Sequence, residues 1–119
     1  MKALKIFSLR KTVLVLGTTM IFLLFSSLST TESNSNTPTR HVVNIYQMKF
    51  VPEKIQVKKG DVIEWVNKDI VPHDVTEINK KWASKTLNKG DSFSKKITTN
   101  FDYFCSIHIV MKGSVSIKK

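Results

Sequence analysis

After residue 30 no stretch of this chain sustains a helical period. What recurs instead is a series of short runs of strand type: "VVNIYQMKF" at 42–50, "KIQV" at 54–57, "DVIEWVN" at 61–67, "HDVTEI" at 73–78, "SFSKKI" at 92–97, "FDYFC" at 101–105 and "GSVSIK" at 113–118. Such runs are rich in β-branched and aromatic residues, and in the third of them Ile63, Trp65 and Asn67 alternate against Val62, Glu64 and Val66. Turn residues separate them. "KKGD" at 58–61 and "NKGD" at 88–91 each set Gly before Asp at a strand start, and Pro52 and Pro72 mark the ends of runs. About seven short strands with frequent turns predict an all-β, antiparallel sandwich or barrel, with a long loop over the less regular residues 79–90.

The sandwich does not need the first forty residues. "KALKIFSLRK" at 2–11 holds four bases and no acid, and "TVLVLGTTMIFLLFSSL" at 12–28 is apolar apart from small or hydroxylated residues. A basic segment followed by an apolar one reads as an export signal or as an uncleaved membrane anchor over residues 1–29. Both readings keep the basic end inside and put the remainder outside the cytoplasmic membrane, periplasmic or extracytoplasmic. The polar stretch at 30–40 reads as a flexible linker, which leaves 41–119 as the one folded domain.

The charge balance bears on partners. The chain has 19 Lys and Arg against nine acids, and without residues 1–30 the net charge is still +6. A positive surface suits an acidic partner or an anionic surface, or is simply a solvated face. Nucleic acid is excluded by the compartment and by scattered lysines with no groove-reading motif.

"CSIHIVM" at 105–111 holds the only cysteine, with His at +3 and Met at +6. An exported chain with one cysteine has no internal disulfide, and an exposed thiol would oxidise, so something must bury or occupy Cys105. If the strand is regular, Phe101, Tyr103 and Cys105 share one face and point inward. Thiolate and thioether are soft donors and imidazole is intermediate, a mixture suited to copper in both oxidation states. Structural zinc would take four Cys or His ligands, so one cysteine argues against it. A second imidazole is needed. His73, in "NKDIVPHDV" between two strands, is the better candidate, whereas His41 beside the linker reads as a surface residue. His73, Cys105 and His108 with a weak axial Met111 make the metal set of a one-electron copper site. A Cys-His nucleophile is the rival chemistry, but about 80 residues leave little room for a substrate cleft. An electron carrier is therefore expected, not an enzyme. The alternative is a copper chaperone or copper-sequestering protein, holding Cu(I) on the same residues without redox cycling.

With these residues placed, the sequence resembles the cupredoxins, the type 1 blue copper proteins, in their amicyanin-, plastocyanin- and pseudoazurin-like branch. "FVPEKIQVKKGDVIEWVNKDIVPH" is similar to the family's first half, ending at the first histidine ligand, and "FDYFCSIHIVMKGSVSI" to its second. Two residues on each side of His108 match the short amicyanin-type ligand loop. The resemblance implies a Greek-key β-sandwich of about eight strands with copper at one end. It also implies a monomer that shuttles electrons between larger redox proteins such as a c-type cytochrome, an oxidase or a dehydrogenase. It would make His73 the inner imidazole and His108 the exposed one. The apolar residues near His108, namely Ile107, Ile109, Val110, Val71 and Pro72, read either as a docking patch or as packing of the loop against the core.

Three positions depart from that pattern. Asp74 follows the first histidine where relatives usually carry Asn, and Ser106 would be its partner across the two ligand loops. Ile107 and Ile109 stand where relatives often have Pro. Asn100-Phe101 stands where a Gly-x-Tyr corner is common, and Phe101 lacks the hydroxyl such a corner uses.

Overall fold

The computed structural model describes residues 36–119. The proposed export or anchor segment, 1–29, and the first part of the polar linker lie outside the described residues. Eight strands follow in order: β1 Arg40–Tyr46, β2 Lys49–Val51, β3 Lys54–Val57, β4 Val62–Asn67, β5 Thr76–Glu77, β6 Ser92–Lys96, β7 Phe101–Phe104 and β8 Lys112–Ile117. They form two four-stranded sheets, ordered β2-β1-β4-β6 and β3-β8-β7-β5. The inward residues of both meet in one core that includes Val43, Ile45, Phe50, Val57, Ile63, Trp65, Ile97, Tyr103 and Val115. This is the β-sandwich expected from the strand pattern.

The pairing is mixed, where an antiparallel sandwich was expected. β1 runs parallel to β4, with Arg40 opposite Val62 and Ile45 opposite Asn67, and β3 runs parallel to β8, with Ile55 opposite Val115. The reason is connectivity. Parallel neighbours need a crossover, and here the chain crosses between sheets, which alternation within a single strand does not reveal.

The run at 42–50 is two strands, not one. Gln47 and Met48 both adopt positive φ, 51° and 59°, and join β1 to β2 as a two-residue hairpin. Glycine or asparagine usually occupies such a turn. Here the Asp69 carboxylate collects the Gln47 N–H at 2.7 Å and the Met48 N–H at 3.0 Å, which offsets the backbone strain.

The two Gly-Asp turns are built alike. Gly60 and Gly90 take φ of 96° and 91°. In each turn the Asp carboxylate accepts a backbone N–H three residues back, from Lys58 to Asp61 and from Asn88 to Asp91. Asp61 also accepts the Thr39 N–H, and its other oxygen lies 2.8 Å from His41 Nε2. The His41 contact and these backbone donors lower the Asp61 carboxyl to about 2.

Tyr103 lies across Gly113, its register partner on β8, so closely that a Cβ there would sit 2.3 Å from the tyrosine ring. Burial pushes the Tyr103 phenol up to about 12. Its hydroxyl and the Trp65 indole N–H are both buried, close enough to interact but without the geometry of a hydrogen bond.

Candidate metal centre

Asn67, fully buried at the end of β4, shapes the loop that carries the first histidine. Its amide donates to the carbonyls of Val71 and Leu87, both at 2.9 Å, and its Oδ1 accepts the Asp69 N–H. The loop then delivers His73 to a bridge with Leu87, closed by backbone bonds in both directions. Residues 79–90 are thus pinned to the site loop at Leu87 rather than forming a free excursion.

The other residues of the expected set arrive on one turn between β7 and β8. Cys105 N–H donates to the Met111 carbonyl at 3.1 Å, and Met111 N–H to the His108 carbonyl at 3.0 Å. The turn therefore holds Cys105, His108 and Met111 in fixed relation. Cys105, His73 and Met111 are buried, and His108 is partly exposed.

Cys105 Sγ lies 3.8 Å from His73 Nδ1 and 3.9 Å from His108 Nδ1, and the two Nδ1 atoms are 3.2 Å apart. A circle through three atoms so spaced has a radius of about 2.1 Å. That is the length of a bond from a first-row metal to nitrogen and slightly under that to sulfur. The donor set and its spacing fit one metal ion. His41 is elsewhere: it sits near the start of β1, beside Asp61, while Asn67 and the site loop lie at the far end of the parallel strand β4.

Two carboxylates frame the donors. Asp69 Oδ2 is 3.0 Å from His73 Nε2, so the ring nitrogen facing away from the cluster has an acceptor that fixes the imidazole's orientation. Burial alone would raise the Asp69 carboxyl. The Met48 and Gln47 N–H groups and the His73 imidazole outweigh it and hold it below the ordinary value.

Asp74 joins the loop of His73 to the turn of Cys105. Its Oδ1 accepts the Ser106 N–H at 2.7 Å and the Thr76 hydroxyl at 3.1 Å, and its Oδ2 accepts the Ser106 hydroxyl. The Asp74 N–H points at Cys105 Sγ, 3.5 Å away. Asn67 and Asp69 were not singled out from the sequence. The available signal was the four-residue step from Asp69 to His73 in "DIVPH".

Around His108 the surface is apolar. Ile70, Ile109 and Val110 are 83%, 69% and 80% exposed, and Val71, Pro72 and Ile107 are also exposed. A surface this apolar on a small domain is what an interaction site shows. At the β6–β7 corner, Asn100 Oδ1 accepts the Ile117 N–H at 2.8 Å. A side-chain amide thus ties down the corner, and Phe101 turns edge-on to Trp82.

The profile described as "Copper binding proteins, plastocyanin/azurin family" matches residues 39–118. Amicyanin of Paracoccus versutus is 32% identical over 85 residues, which cover 65% of this chain and 64% of that protein. The chain thus spans somewhat under two thirds of that relative's length. Plastocyanin of Nostoc punctiforme is 41% identical over 49 residues, covering 41% of this chain and 35% of the relative. The crystal structure of amicyanin from Paracoccus versutus superposes with a TM-score of 0.59 at 27% identity, covering 70% of this chain and 86% of that one. Sandwich, donor cluster and sequence agree, and the metal is copper: this chain belongs to the plastocyanin/azurin family of copper-binding proteins.

Proposed function

We propose that this protein is a one-electron carrier in which Cys105, His73 and His108, with Met111 beside them, would hold one copper ion. Outside the cytoplasmic membrane it would shuttle electrons between larger redox proteins. The arrangement of the three donor atoms, 3.2 to 3.9 Å apart around a common point, carries the reading. Bound copper supplies a couple between cupric and cuprous states at such a mixed thiolate–imidazole set. Similarity to amicyanins and plastocyanins supports the carrier role, and the basic-then-apolar segment at 2–28 supports export.

The chain's own residues do three things. Cys105 and His73, both buried, keep bulk water from one side of the donor cluster. Asp69, Asp74 and the Cys105–Met111 backbone bond hold the donors in place, so little rearrangement accompanies a change of charge. His108, partly exposed within the apolar face of Ile70, Ile109 and Val110, is the contact through which electrons reach a docked protein.

Copper loading followed by optical and paramagnetic-resonance spectroscopy tests the reading. An intense absorption toward the red, bleached by reductant and restored by oxidant, is expected, and Cys105→Ser should abolish it. A colourless protein that holds only Cu(I) would replace the carrier with a copper chaperone or sequestering protein.

A further inference from the structure

Away from the His108 face, a recess of about 240 Å³ opens between the β5–β6 loop and the β6–β7 corner. Trp82 lines it, partly exposed, with Lys81, Lys95 and Lys96 around it. The Lys95 ammonium sits 4.6 Å from the centre of the indole ring. Glu77 is the one acid in the lining, and its carboxylate is already engaged by the N–H groups of Asn79 and Lys81 and by the Asn79 amide. The recess therefore presents three cations and an aromatic ring against one carboxylate, a net positive charge. A tryptophan ringed by long basic side chains has the make-up of an interface anchor with a steering rim.

Trp82 is also tied to the core. It stacks near Phe93 at 6.0 Å, Phe93 stacks on Trp65 at 5.8 Å, and Trp65 meets Tyr103 edge-on at 5.4 Å. Tyr103 stands two residues before Cys105, so ring contacts run from the recess to the segment that carries the thiolate.

We propose that the Trp82 recess is a second docking surface, taking a redox protein with an acidic face. The proposal rests on the electron-carrier reading and adds a partner class and a place to it. Lysine rim and carboxylate rim attract, and Trp82 fills the centre of the contact. One electron exchanged across the interface leaves the donor oxidised by one and the acceptor reduced by one, with no proton or further reactant required.

The test is an amide-shift titration of the Cu(I)-loaded chain at low ionic strength, first with a decaglutamate peptide and then with an acidic c-type cytochrome. Shifts should concentrate on residues 77–82 and 93–101 and on the Trp82 indole, and fade with added salt. The variant K81E/K95E/K96E should weaken binding roughly tenfold or more. K54E/K112E/K118E, equal in charge but on the other sheet, should leave the Trp82 shifts in place. Equal weakening by both triples, or shifts confined to the His108 turn, would overturn the proposal. Reversible bleaching of the copper spectrum is read separately, so failure of the recess and failure of the carrier reading are distinguishable.

Discussion

Asp69 Oδ2 lies 3.0 Å from His73 Nε2, and the same carboxylate holds both N–H groups of the strained Gln47-Met48 turn. One side chain thus couples a hairpin on one sheet to a buried donor of the metal site. Asp69→Ala should lower copper affinity about 10–100-fold, the usual consequence of removing an outer partner of a metal-bound imidazole. It should also lower the melting temperature of the copper-free protein, because the turn loses its acceptor. A chelator competition titration measures the first effect and thermal unfolding the second.

Asp74 places a carboxylate where it spans both ligand loops, with its own N–H directed at Cys105 Sγ. Negative charge near the thiolate favours the more positive oxidised ion. Asp74→Asn should therefore raise the reduction potential, while the amide still bonds to Ser106. Voltammetry decides it, and an unchanged or lowered potential would refute the argument.

Tyr103 and Gly113 are matched across β7 and β8. Gly113→Ala would drive a methyl group into the tyrosine ring, since the Cβ position is 2.3 Å from it. A loss of about 2–3 kcal/mol in denaturant unfolding is expected. Combining it with Tyr103→Leu, which removes the obstructing ring, should cost less than the sum of the two single changes. Tyr103→Phe deletes a buried hydroxyl that completes no hydrogen bond, and should be neutral or stabilising by up to about 1 kcal/mol.

Asp61, lowered to about 2 from an ordinary 3.8, gains its stability through the folded state's preference for its ionised form. A depressed carboxyl contributes fully above the unfolded value and loses that contribution as pH falls through the folded value. Asp61→Asn should therefore be less stable than the parent at pH 7. The gap should close between about pH 4 and pH 2, and unfolding curves taken across that range follow it.

The strand runs and both Gly-Asp turns were legible because alternation and glycine punctuation are local. The break at Gln47-Met48 was not. Neither residue favours positive φ, and the group that stabilises the turn, Asp69, lies more than twenty residues away. The parallel pairing of β1 with β4 was hidden for a related reason, since inter-strand order leaves no mark within a single run. At the site, Cys105, His108 and Met111 share one short turn, so their spacing alone suggested a common role. His73 could be chosen over His41 by its place between two strands. Asn67 and Asp69, which position His73, are ordinary polar residues whose contacts exist only once the loop has folded.

The backbone bond from Cys105 to Met111 has an evolutionary corollary. It clamps the base of the turn, so the exposed side chains of Ile107, Ile109 and Val110 are free to change in character while Ser106 and His108 keep their partners and β7 and β8 keep their register. A descendant of this chain could change what it docks against by rewriting those three apolar side chains alone, leaving the histidine and the scaffold beneath unaltered.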